Sequence, residues 1–360
     1  MNNQAMENTP VKITKETKNK IRVDFERADK WTRFKLKYLS VKFLKTLLWK
    51  IFRLALLIGI SFVILSPLIS KVCSSFMGKE DFTDVTVKYI AKYPTLEMYK
   101  GLITENHYFE ILLNTALLSV FCALVQTFIC TLVGYGFAKF KFKFNKLLFF
   151  LVIFTMVIPQ KTLRVSMFLN FKNFDLFALL TSFMKMFGYT GNLTQTIFGV
   201  DPNTLNLLNT FWPVAILSLG GLAFKNGLYI FMMRQYFKGV PDELEESAYL
   251  DGSGVFRTFL TIIIPLSVPM MITIFLFAFS WQWTDMFYTK LFFTKSTVLM
   301  MPKLVETIPE SLKSDYQGQS MRADAIRNTG SLLIIAPLII IYLFFQRYLI
   351  AGIERSGIVG

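Results

Sequence analysis

Chemistry in this 360-residue chain is confined to a few charged and amide side chains set among long apolar runs. The single histidine, His107, has no neighbouring His or Cys, and Cys73, Cys122 and Cys130 lack metal-ligand spacing. Neither a metal centre nor a nucleophile with a base is therefore spelled out, and the cysteines read as small packing residues. No Gly-x-x-x-x-Gly-Lys-Ser/Thr run occurs, so the chain is not expected to hydrolyse ATP or to hold a cofactor. Two other sets stand out. One is the acid-rich stretch Pro241-Asp242-Glu243-Leu244-Glu245-Glu246-Ser247-Ala248-Tyr249-Leu250-Asp251-Gly252, followed by Ile262, Ile264 and Pro265; its chemistry is docking, not catalysis. The other comprises Asn114, Lys161, Arg164, Lys225, Asn226, Gln282 and Asp285, polar groups in or beside apolar runs and hence candidates to line a translocation path. A lone lysine within a span costs about 2.5 to 3.5 kcal/mol, so Lys225 is expected to face a cavity, a carbonyl or an acidic partner. For Lys161 and Arg164 two readings stand: snorkelling to the headgroups, or lining a path shared with a partner subunit.

The elements that position these groups are apolar segments of bilayer-crossing length, near residues 51–69, 111–137, 144–165, 211–233, 262–283 and 331–345. The expected fold is an all-α integral membrane protein of six transmembrane helices. Net charge is +15, and thirteen of the Lys and Arg residues fall in positions 1–50, with Lys139, Lys141, Lys143 and Lys146 in a later loop. This basic excess crowds the segments between spans on one side, which argues for topology and against nucleic acid as its cause. By the positive-inside rule both termini, and the acidic loop, are expected in the cytoplasm. The resulting division is a basic cytoplasmic extension over 1–50, a transmembrane domain over 51–350 with a cytoplasmic loop at 234–264, and a cytoplasmic tail over 351–360. The long polar start does not match a cleavable signal peptide, so the first span is expected to stay.

Trp31, Phe34, Tyr38, Val41, Leu44 and Leu48 recur at helical spacing against a basic face, the pattern of an elbow lying on the inner leaflet. Trp212, Trp281, Trp283 and Tyr288 fall where an interfacial aromatic belt belongs. Pro159 is expected to interrupt the third span. The stretch 171–208 reads as an outer segment: a lid, a docking surface, or an insertion that packs on the membrane. In the acidic loop Pro241 is expected to open a short helix with acids in its first turn, Leu244 and Ala248 on one face, and Gly252 as a left-handed cap. The apolar cores contain no Asp or Glu, which argues against an ion-coupled carrier.

The loop resembles the EAA motif of importer permeases of the ABC superfamily, with Ser247 and Ile264 as departures from Glu-Ala-Ala and Leu-Pro. Arg234-Gln235-Tyr236-Phe237 before it, Asp251-Gly252 within it and Ile262-x-Ile264-Pro265 after it complete the ordered set. Further along, Tyr93-Pro94-Thr95-Leu96, Asn114-Thr115 and Trp283-Thr284-Asp285 are similar to runs in sugar-type permeases of the maltose and glycerol-phosphate group. Gln346, Arg347, Gly352 and Gly357 resemble that group's tail, although its penultimate lysine is absent. The likeness covers about 94–360 and implies the type I importer permease fold in a bacterial cytoplasmic membrane. It also implies a second homologous permease, an ABC ATPase dimer that uses the ATP and docks on the 241–252 loop, an extracytoplasmic solute-binding protein, and a carbohydrate substrate. A non-transporting sensor on the same fold, or a permease for a non-sugar solute, is the alternative.

Overall fold

The computed structural model describes Trp31 and residues 41–355, except 176, 189, 200–204, 224, 296–297 and 314–318. Residues 32–40 of the elbow expected near 31–48 therefore lie outside the described residues, as does Gly357. The chain divides into two compact units, Met1–Ser70 and Lys71–Gly360. In the first, helix α1 (Val41–Ser74) begins, and its residues Lys45–Ser74 are long and apolar enough to cross a membrane.

A short helix α2 (Glu97–Thr104) leads to the long helix α3 (Tyr108–Lys139), which is apolar on all sides and occupies the centre. Helix α4 (Asn145–Thr155) follows, then a break at Pro159 and a 3₁₀ turn, Gln160–Leu163. Helix α5 (Arg164–Lys172) leaves at 90° to α4. The expected interruption is present, because proline's missing N–H and fixed φ stop the ladder there. The outer stretch forms α6 (Ala178–Met186) and α7 (Leu193–Phe198). It returns to its start through Phe174 N–H to Leu205 O and Leu207 N–H to Phe171 O, at 2.9 and 3.0 Å.

The span expected over 211–233 is not one helix. Helix α8 (Trp212–Leu219) ends at Gly220-Gly221, where Gly221 takes φ +67° and Leu222 N–H closes back on Leu217 O at 2.8 Å. That is a glycine-capped helix end, a conformation a β-carbon would strain. The chain becomes helical again only at α9 (Asn226–Lys238), so Lys225 occupies the break and not the middle of a continuous helix. Then come α10 (Glu243–Leu250), α11 (Val255–Thr258), a wide i→i+5 turn at Phe259–Ile263, and α12 (Ile264–Trp283). Pro265 offers no N–H to the preceding turn, and the helix widens just ahead of it. Helix α13 (Phe287–Phe292) and the 37-residue α14 (Gln319–Arg355) complete the unit.

Among the described residues of the second unit, three helices, spanning Tyr108–Lys139, Val255–Trp283 and Ser320–Ile350, have the length and hydropathy to cross a membrane, and the bent α4–α5 pair adds one more if it is a single span. Helices α9 and α12 both pack along α3, α14 packs on α12, and α4 on α9. Two glycines permit the closest crossings. A β-carbon on Gly134 of α3 would lie 2.5 Å from the Met233 β-carbon of α9, and one on Gly227 would lie 2.9 Å from Thr155 Oγ1 of α4. Trp283 and Tyr288, expected in an interfacial belt, are buried instead. Trp283 donates its indole N–H to Ile334 O of α14 at 2.9 Å, and Tyr288 stacks on Phe292. Trp212 and Trp281 remain exposed.

Candidate functional site

Helix α10 carries the acidic stretch. Asp242 stands at its N-cap position, three glutamates fill its first turn, and Gly252 at φ +81° closes it. Ser253 N–H returns to Ala248 O at 2.9 Å and Gly252 N–H to Tyr249 O at 3.0 Å, the paired closure that a left-handed glycine allows. Its buried face differs from the expected one. Glu245 and Ala248 point inward, while Leu244, Glu246, Ser247, Tyr249 and Leu250 are exposed. The cause lies on α3, whose last turn supplies partners for a buried carboxylate. Tyr135 donates its hydroxyl to Glu245 Oε2 at 2.8 Å, and Lys139 Nζ lies 3.5 Å from Glu245 Oε1. Lys139 also donates to Val240 O at 2.7 Å and to Asp242 Oδ1 at 2.5 Å. The hydrogen bond and charge of Lys139 hold the exposed Asp242 carboxyl below its ordinary pKa. An acid-and-lysine latch thus fixes α10 to the end of α3, and its outer face is left with two leucines among acids. Beside it a groove of about 440 Å³ is lined by Leu244, Ser247, Asp251, Arg257 and Ile262.

A second concavity lies at the break between α8 and α9. Its volume is about 470 Å³, and Gln126, Gln160, Lys225, Tyr229, Trp281, Gln282 and Asp285 contribute to its wall. Lys225 sits with its ammonium 4.1 Å from the centre of the Trp281 ring, a cation–π contact. Asp285 accepts the backbone N–H groups of Phe287, Tyr288 and Thr289 at 3.2, 2.8 and 3.1 Å, and so caps α13. Burial pushes its pKa up to about 6, against the opposing pull of those three N–H groups. Gln126 Nε2 donates to Ser218 Oγ of α8 at 3.1 Å.

Of the residues singled out for a path, Lys225, Gln282 and Asp285 come together in this cavity. Asn114 does not: it donates to Leu299 O at 3.4 Å, while neighbouring Thr115 Oγ1 accepts Met301 N–H at 2.9 Å, so the pair clamps the 299–301 segment to α3. Lys161 and Arg164 are exposed in the bend between α4 and α5, and it is Gln160 beside them that lines the cavity. Asn226 is wholly buried next to the cavity wall, and its side-chain amide has no hydrogen-bond partner among the described residues. Gln346, Arg347 and Gly352 lie on the last turns of α14, with the Arg347 guanidinium 5.6 Å from the centre of the Tyr348 ring. Gln126, Gln160, Tyr229 and Trp281 were not singled out as path residues; amides and phenols inside apolar runs were the available signal.

Residues 130–355, which contain the latch, α10, the broken span and most of the cavity wall, match the family described as binding-protein-dependent transport system inner membrane component. The chain belongs to that family. The transport component is 29% identical over 309 residues to the maltodextrin transport system permease protein MalD of Streptococcus pneumoniae, covering 84% of this chain and 92% of the relative. It is 26% identical over 316 residues to the galactooligosaccharides transport system permease protein GanQ of Bacillus subtilis, covering 86% and 95%. The arabinooligosaccharides transport system permease protein AraQ of the same organism is 27% identical over 253 residues, covering 70% and 74%. Among solved structures, a chain of a bacterial ABC transporter involved in the import of the acidic polysaccharide alginate superposes with a TM-score of 0.61 at 19% identity, covering 84% of this chain and 96% of that one. That likeness establishes the fold. The family to which the 241–265 motif pointed is thus the one found, and the chain is a multi-pass inner-membrane transport component.

Proposed function

We propose that this chain is one of two permease subunits of an ATP-driven bacterial importer for oligosaccharides. It forms the translocation path with a second, homologous permease. The observation that carries the reading is the latched α10, a short helix fixed to α3 with an exposed acidic and leucine-bearing face beside a groove, positioned between α9 and α12. That face suits an ATPase dimer, and an extracytoplasmic solute-binding protein delivers the sugar. In this scheme six crossings are made by α1, α3, the bent α4–α5 pair, the broken α8–α9 pair, α11–α12 and α14, with both termini in the cytoplasm. The names of three relatives, permeases for maltodextrin, galactooligosaccharides and arabinooligosaccharides, support the substrate class.

Energy then enters at α10. Closure of the ATPase pair moves the docked helix, and the attached α9 and α12 carry that motion toward the cavity. Glu246 is exposed on the docking face, so Glu246→Lys is expected to leave insertion intact while weakening retention of the ATPase and abolishing uptake. Co-purification of the ATPase at wild-type yield together with normal sugar uptake would refute the assignment.

A further inference from the structure

The cavity at the α8–α9 break has a charge imbalance that the fold does not resolve. Lys225 forms no ion pair with any described carboxylate, and its near neighbour is the face of Trp281. Asp285 shares the cavity, yet both of its oxygens are taken by the backbone N–H groups that begin α13. Burial is the first cause of its raised pKa, and Lys225 is not among the groups that move it. The ammonium is therefore left without a fixed counter-charge at a partly buried position in the cavity wall.

The remaining wall is suited to a sugar. Tyr229 contributes to the wall but is wholly buried, and its hydroxyl has no hydrogen-bond partner among the described residues. Gln160 and Gln282 add amides, each able to donate and accept at once, as adjacent sugar hydroxyls require. Trp281, 54% exposed, adds an apolar ring to the wall. The volume of about 470 Å³ lies within the range of small-molecule sites. One ammonium balances one negative charge. These features select a singly charged acid group over a doubly charged phosphate ester.

Resting on the importer reading above, we infer that this cavity binds the acidic unit of a uronate-containing oligosaccharide, with the sugar carboxylate paired to Lys225 and the ring hydroxyls to Gln160 and Gln282. The test is uptake by the whole importer, with its partner subunits, in a host lacking other sugar importers. The probes are radiolabelled galacturonate, glucuronate and mannuronate disaccharides, the neutral disaccharides of the same linkages, and a disaccharide phosphate. Wild type is expected to take up at least one uronate dimer and not the phosphate. Lys225→Met is expected to lower the ratio of uronate to neutral-dimer uptake tenfold or more, and Lys225→Arg to restore it. An unchanged ratio in Lys225→Met, or carriage of neutral dimers alone, overturns the inference and leaves the oligosaccharide importer standing. No uptake of any sugar by wild type overturns both. If Lys225→Met does not reach the membrane, competition in the wild type decides: a uronate dimer must inhibit the uptake of a carried sugar at least tenfold more strongly than its neutral counterpart, and equal inhibition overturns the inference.

Discussion

Replacing Lys139 by methionine removes the cation from the latch while keeping the length of the side chain. Lys139 and Glu245 are each only 8% exposed, whereas Asp242 is 77% exposed, so the energy resides in the Glu245 contact and in the bond to Val240 O. Breaking a buried ion pair from one side costs about 3 to 5 kcal/mol, because the surviving charge is left without its partner. Glu245 keeps the Tyr135 hydroxyl, which places the expected cost toward the lower end, about 3 kcal/mol. That energy holds α10 against α3 and not the whole fold. It is therefore expected to appear as local opening, with amide exchange protection over 243–252 falling by roughly 100-fold while that of α12 is unchanged. The assay is hydrogen exchange by mass spectrometry on protein in lipid nanodiscs. The double substitution Lys139→Met with Glu245→Gln removes both charges and is expected to recover most of the protection, since two neutral groups are cheaper to bury than one unpaired charge. The reasoning is refuted if the single variant exchanges like wild type, or if the double variant is no better protected than Lys139→Met.

Gly134→Ala places a β-carbon 2.5 Å from that of Met233 and is expected to lower thermal stability by about 1 to 3 kcal/mol, read as a drop in the melting midpoint in nanodiscs; an unchanged midpoint contradicts the close crossing. Asp285 gives a pH dependence with a definite sign. An acid whose folded pKa is raised, from 3.8 to about 6, opposes folding when ionised; its penalty of at most about 3 kcal/mol is fully present above pH 6 and is relieved as pH falls toward 4. Asp285→Asn keeps an acceptor for α13 and is expected to flatten that stretch of the stability profile, so a wild-type slope retained in the variant contradicts the assignment.

The long apolar runs made α3, α12 and α14 legible, because a helix buried in lipid or protein needs only length and hydropathy to announce itself. The break at 220–225 was hidden by the same property. Leu222 and Ala223 continue the apolar composition across it, and periodicity gives no warning when every face is apolar. The usable sign was the Gly220-Gly221 pair followed by Lys225. In α10 the motif and its glycine cap were readable from neighbouring residues, but the inward face was not. Leu244 lost the buried position to Glu245 because Tyr135 and Lys139, about a hundred residues earlier, supply a donor and a cation there. Trp281 and Trp283 likewise share composition and neighbourhood; only the Ile334 carbonyl of α14 distinguishes the buried one.

Helix α9 joins the two sites described above. It begins beside Lys225 at the cavity and ends at Lys238 before α10, and as a 13-residue helix it is about 20 Å long. Its tightest contact, Gly134 against Met233, falls between those ends, about 10 Å from one and about 8 Å from the other. On the importer reading the helix is a lever with nearly equal arms and a glycine at its fulcrum. A tilt of about 10° about that point displaces the latch end and the cavity end by between about 1 and 2 Å in opposite directions, a push at one site arriving as a pull at the other.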